Sequence, residues 1–181
     1  MITTPTDATP TDTTSTDTRV TDTGPTDTGP RGEPAPGPAE EPARFDPRAT
    51  RIAVVLREDL PVWQRLNVTA FLSGGLAGAH PGLIGEPYED ADGTRYAAMF
   101  RQPVVVREAD GEALRAAHRR AVDRGLTVAV FTADLFATGN DRDNRAAVRG
   151  VPRDRLDLVG LAVHGPRNAV DRALKGTRMH S

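Results

Sequence analysis

RIAVVLREDLPVWQRLNVTAFLSGGLAGAHP, residues 51–81, decides the fold. The aliphatic, β-branched run RIAVVLR (51–57) is too short for a helix and reads as a buried strand. It ends in a charged corner, Arg57-Glu58-Asp59-Leu60-Pro61. Pro61 suits a first helical turn, where its missing N–H would have no partner anyway. The spacing predicts a helix from there to about Ala79, stopped by Pro81. A strand, a corner and a helix laid back over the sheet make the opening unit of an α/β domain. Such strand ends are where open α/β sheets usually place their ligands.

Strands and helices alternate beyond it. Asp90-Ala91-Asp92-Gly93 is a turn signal, with Thr94–Phe100 as the returning strand of a hairpin. Val104–Arg107 is another strand. Asp110 can cap a helix over 111–124 that Gly125 ends in the left-handed conformation. Leu126–Phe131 is a strand, Asn140 or Asp141 caps a helix to about Arg149, and Leu156–Val163 is the last strand. Gly165-Pro166 opens a final helix ending at Gly176. The pattern predicts a layered α/β domain on a mostly parallel sheet, with an antiparallel piece around 94–107.

Residues 1–48 contrast with this. Ile2, Val20 and Phe45 are nearly their only large apolar side chains, and TDTGP occurs twice, at 21–25 and 26–30. Such a composition cannot bury enough apolar surface to offset chain entropy, so a disordered tail is expected. Residues 49–181 are expected to form a single domain. The tail's nine acids against four arginines give −5, and with −2 for the whole chain the domain is about +3. That is too weak to indicate nucleic-acid binding from charge alone. The tail lacks the basic start and apolar core of a secretory signal, and no apolar run approaches the ~20 residues of a membrane span. A cytoplasmic protein without membrane contact is expected. Absence of cysteine excludes disulfides, thiolate nucleophiles and Cys-ligated zinc.

Candidate site residues come from three places. On the first helix, placed at about 100° per residue, Val62, Leu66, Ala70, Leu76 and Ala77 share one side, and Gln64, Asn67, Phe71, Gly74, Gly75 and Gly78 the other. Glycine within a helix costs up to ~1 kcal/mol relative to alanine. Three in a stripe therefore imply close approach of the sheet, a second subunit or a ligand. Asp59 can serve as a general base or orient one, and can equally pair with Arg57 or help cap the helix. Thr138-Gly139-Asn140-Asp141 reads as a polar binding loop or as an N-cap. Arg142, Arg145 and Arg149 share a helical face, as a phosphate-facing stripe or a solvated one. His80, His118, His164 and His180 lack metal-ligand spacing, and there is no Walker loop, G-x-G-x-x-G or G-x-S-x-G. No metal or cofactor is expected.

VVLREDLPVWQRLNVTAFLSGG, LIGEPYEDADG, RQPVVV, FTADLFATGND and LVGLAVHGPRNAVDRALKG, taken in order, resemble the bacterial family called domain of unknown function 2000, over essentially all of 50–178. That family is similar in fold to type II peptidyl-tRNA hydrolases. The resemblance implies a three-layer α/β/α domain on a mixed, mostly parallel sheet of four or five strands, often in a homodimer. Those hydrolases carry a lysine at the start of the first helix, where this chain has Val62, Trp63, Gln64, Arg65 and Leu66. Its only lysine is Lys175. Their Asp-x-Gly-x-Thr motif is also missing, and only Asp59 transfers. Arginine stays cationic where a lysine can lose its proton and act as a base. The expectation is therefore a binding module for a nucleotide, RNA end or small polar metabolite at the Asp59 corner, with Gln64, Asn67, Gly74, Gly75, Thr138, Asn140 and Asp141 around it. The alternatives are an ester or amide hydrolase in which Asp59 orients a water, and a structural homodimer without a ligand.

Overall fold

A computed structural model describes residues 46–180; the expected tail lies outside the described residues except for its last three positions. The opening unit is β1 (Thr50–Arg57) followed by α1 (Val62–Ala79). A single 3-10 turn and a two-residue hairpin, β2 (Tyr88–Glu89) and β3 (Arg95–Tyr96), lead to β4 (Val104–Ala109) and α2 (Gly111–Asp123). Then come β5 (Thr127–Thr132), α3 (Asp141–Arg149), β6 (Leu158–Pro166), α4 (Arg167–Ala173) and β7 (Arg178–Met179).

Five strands form one sheet in the order β5-β6-β1-β4-β7. Alternation along β1 divides the core. Ile52, Val54 and Leu56 face Val68, Leu72 and Leu76 of α1, together with Phe131, Val159 and Ala162. Ala53 and Val55 face the other way, against Leu114, Ala117 and Ala121 of α2 and Val170 and Ala173 of α4. The domain is thus a mixed sheet between helices, as in a three-layer α/β/α arrangement.

The expectation of a mostly parallel sheet is corrected. Only β1 and β4 are hydrogen-bonded in parallel; β6 runs antiparallel to both β1 and β5, and β7 antiparallel to β4. The physical reason lies in the connection after β5. Its helix α3 buries no residue, so it does not cross a sheet face. The chain returns at the edge it left, with Thr132 opposite Leu158. Strands β5 and β6 are a hairpin with a long excursion at its tip, and a hairpin is antiparallel.

The buried face of α1 also differs from the reading above. Val68, Leu72 and Leu76 are buried, whereas Val62, Leu66 and Ala70 point outward. The helix fits tightly because β6 carries Gly160 beneath it: a Cβ there would lie 2.3 Å from Val68 Cγ1 and 3.0 Å from Leu72 Cδ1. The final helix is shorter than expected, since β6 extends through Gly165-Pro166. The short C-terminal strand β7 had no sequence signal, and it supplies the fifth strand. Among the described residues no helix is long and apolar enough to cross a membrane.

Candidate functional site

Because β1, β4 and β5 run in one direction, their C-terminal ends share one edge of the sheet. At the end of β1 the Arg57 guanidinium donates to Asp59 at 2.7 Å and to Asp157 at 2.7 Å. Partial burial of Arg57 disfavours its charge, but the hydrogen bonds and negative charges of Asp59 and Asp157 outweigh it and raise the pKa. Asp59 therefore already has a cationic partner, although its carboxylate remains open to solvent. Next to it, Arg178 of β7 donates to the nearly buried Glu108 at 3.0 Å and pairs with Glu58 at 2.7 Å. Arg65 reaches the same Glu108 at 3.3 Å while donating to the carbonyls of Leu60 and Glu58. At this corner the cations and carboxylates are matched to one another.

The end of β5 is different. A cleft of about 400 Å³ opens between α1 and the excursion after β5. Trp63, Asn67 and Phe71 of α1 form one wall. Phe131 at the end of β5, Leu135 and Phe136 in the following 3-10 turn, and the segment from Thr138 to Asp141 with Asn144 form the other. The aromatic rings make a continuous chain, edge-to-face at both ends and tilted in the middle. Trp63 lies 5.8 Å from Phe136, Phe136 lies 5.1 Å from Phe131, and Phe131 lies 5.7 Å from Phe71. Four of the chain's eight Phe, Trp and Tyr residues meet here. A core would bury them all, yet Trp63 and Phe71 are more than half exposed, at 61% and 57%.

The polar rim is mostly committed. The Thr138 hydroxyl donates to the Leu135 carbonyl at 2.9 Å and contacts the Asn144 side-chain oxygen. Asn140 caps α3 by accepting from the Asp143 N–H at 3.0 Å, and its amide nitrogen donates to the Asp143 carboxylate at 2.8 Å. Asp141 pairs with Arg145 one turn along. Two amides stay available: Asn67, which has no polar partner among the described residues, and the Asn144 NH2. Asp143, beside Asp141 in the first turn of α3, pairs with Arg142 at 3.5 Å.

Of the residues singled out in the sequence, the cleft brings together Asn67, Thr138, Asn140 and Asp141. Asp59 and Gln64 are not among its lining residues. Gly75 packs within 3.2 Å (as a would-be Cβ) of Ala129 on β5, and Gly74 faces open space. Among the described residues no group of three or more His, Cys, Asp or Glu side chains could hold a metal ion.

The family model described as protein of unknown function (DUF2000) matches residues 50–181. The chain belongs to this family. A solved structure of a protein of unknown function from Agrobacterium tumefaciens strain C58 is 43% identical, with a TM-score of 0.72. The match covers 74% of this chain and 98% of that one. No curated protein matches. In this DUF2000 domain, sequence reasoning missed Trp63, Phe131, Leu135, Phe136 and Asn144 as cleft residues. A signal was present: in a chain with 4% aromatic residues, Phe131 and Phe136 bracket a strand end directly before the polar TGND segment.

Proposed function

We propose that this DUF2000 domain is a binding module on a scaffold like that of type II peptidyl-tRNA hydrolases. Its ligand is a flat, uncharged heteroaromatic molecule, of which a nucleobase or nucleoside is the nearest class. The observation that carries this reading is the open aromatic cleft with two uncommitted amides at its rim. Stacking a base on an aromatic side chain contributes about 1–3 kcal/mol and tolerates different rings. Asparagine amides match the donor–acceptor edges of such rings. Asp141 is paired with Arg145 and Asp143 with Arg142, so the rim offers no unmatched cation to an anionic group and recognition falls on the ring. The charge-matched Asp59 corner supports the scaffold at the same sheet edge.

Trp63 is the only tryptophan in the chain, so its emission reports the cleft directly. Titration with adenosine, guanosine, cytidine and uridine should quench or shift that emission for at least one of them, with matching heat by calorimetry. Asn67→Ala, at an exposed site without polar partners, should weaken binding by about 5- to 10-fold, as expected for one lost hydrogen bond. No response to any nucleoside in both assays would reject the reading.

A further inference from the structure

A second pocket, of about 240 Å³, is built on α2. This helix packs on the face of the sheet opposite α1, so the pocket and the aromatic cleft belong to different layers. Leu114, Ala117, His118 and Ala121 form the buried stripe of α2. His118 lies at the margin of that stripe, between the exposed Arg115, one turn before it, and Arg119, the next residue. A 3-10 turn just ahead of β6, Arg153–Arg155, adds Arg153 and Asp154 to the lining.

Two properties set this pocket apart. His118 is only 6% exposed, yet neither ring nitrogen has a hydrogen-bond partner among the described residues. The sealed, unpartnered polar atoms of the domain belong to Gln102, Thr132 and His164, so the ring of His118 keeps its contact with solvent and lines the pocket. Buried polar groups normally have partners, and this one is left to whatever fills the pocket. The second property is charge. Arg115, Arg119 and Arg153 form no ion pair and donate no side-chain hydrogen bond among the described residues, unlike the matched cations of the Asp59 corner. Glu112 and Asp154 are unpaired as well, so three cations against two carboxylates leave a net +1.

We propose that this pocket is a phosphoryl-binding site, which takes a phosphate monoester or inorganic phosphate between the three guanidinium groups and the His118 ring. A guanidinium stays charged and presents a planar fork that matches phosphate oxygens. A phosphoryl group offers three terminal oxygens, one for each arginine, whereas a carboxylate offers two, which a single fork already occupies. His118 supplies a fourth donor. In the empty pocket, burial and the charge of Arg153 hold its pKa below the ordinary value, against a smaller opposing effect of Asp123. The charged groups facing the ring are Glu112, Arg115, Arg119 and Asp123 from α2 and Arg153 and Asp154 from the turn. A dianion among them favours the imidazolium, which then donates to a phosphate oxygen. With the ring protonated the lining carries +2, the charge that a phosphomonoester dianion balances. The inference does not rest on the nucleoside reading of the aromatic cleft.

The test uses the full chain, with inorganic phosphate and glycerol phosphate as separate ligands. Glycerol phosphate has no ring, so the aromatic cleft takes no part. Calorimetry should show saturable one-to-one binding at millimolar concentration or below. Arg119→Gln and Arg153→Gln, at exposed sites without partners, should leave circular dichroism unchanged and each weaken binding by about 10-fold, as expected for lost charge-assisted hydrogen bonds. In a proton NMR titration the His118 ring, assigned from its absence in His118→Gln, should have a midpoint below the ordinary ~6.5 without ligand and above it with saturating ligand. Binding of the ester assigns the site to phosphomonoesters, and binding of inorganic phosphate alone assigns it to the free anion; either result upholds a phosphoryl site. Failure to bind both ligands would overturn the proposal. So would binding that Arg119→Gln and Arg153→Gln leave unchanged, or a His118 midpoint that the bound ligand does not raise.

Discussion

Gly160 lies at the closest approach of α1 to the sheet, and replacing it with alanine tests the packing that sets the cleft wall. The new Cβ would lie 2.3 Å from Val68 Cγ1 and 3.0 Å from Leu72 Cδ1. Carbon atoms prefer about 3.5–4.0 Å, so one side must give way by more than about 1 Å. Val68 cannot simply rotate, because a β-branched residue within a helix has one strongly favoured rotamer. Overpacking of this kind costs about 1–3 kcal/mol, partly offset by ~0.4–1 kcal/mol from the smaller conformational freedom of alanine in the unfolded chain. Val68→Ala alone removes two fully buried methyl groups and should cost about 2–3 kcal/mol. In the double variant, the methyl added at 160 occupies the space vacated at 68. Its loss of stability should fall short of the sum of the singles by about 1.5 kcal/mol or more. Urea unfolding of all four proteins, followed by Trp63 emission and by circular dichroism, measures this cycle. Additivity within about 0.5 kcal/mol would refute the close approach.

Two other outcomes follow from the site's surroundings. Asn140→Ala should remove the cap of α3 at a local cost of about 1 kcal/mol, read as faster amide exchange at residues 143–146, while Asn140→Ser largely preserves it. Burial lowers the pKa of His118, with Arg153 adding to it, and burial lowers that of His164, with His80 adding to it. The folded protein then stays neutral at these sites while the unfolded chain takes up protons below its ordinary histidine pKa of about 6.5. The unfolded state binds more protons, so stability should fall as pH drops through that value and be unaffected by these groups above about 7.5. Urea midpoints at pH 7.5 and 5.5 test this, and His118→Gln with His164→Gln should flatten the difference.

How much of this was legible in the sequence depends on whether the signal was local. Asp110 does cap α2, accepting from the Ala113 N–H at 2.7 Å, and Gly125 has a φ of 64° where a left-handed stop was expected. Strands β1, β4 and β5 follow from their β-branched runs. Strand direction was not legible. It depends on whether the segment 133–157 crosses the sheet or turns back, and that is a tertiary outcome that a capped helix of nine residues does not announce. The inward face of α1 was hidden for another reason: apolar side chains surround the helix, so periodicity cannot select one stripe, and the fit of Val68 and Leu72 over Gly160 selects it instead. In the candidate site, the TGND segment could be picked out as a polar element end and Asn67 as an amide on the glycine-bearing side of α1. Their aromatic companions carried only a positional signal, their place just before TGND, and otherwise look like core until the open cleft is seen.

The hydrogen-bonded centre of the sheet has a consequence for how the chain reaches its native state. Strand β1 is made early, yet Val55 pairs with Leu161, more than a hundred residues later in the sequence. Contacts of such long range slow folding, since the intervening chain must be closed into a loop before they can form. Until β6 emerges, β1 has a bare edge, and Val68, Leu72 and Leu76 lack most of the floor on which they finally rest. Synthesis therefore passes through a period in which the most apolar helix of the domain has β1 beneath it but not yet β6. Intermediates with bare strand edges and exposed apolar surface are prone to aggregate, so the wait for β6 is the stage at which this chain is most vulnerable.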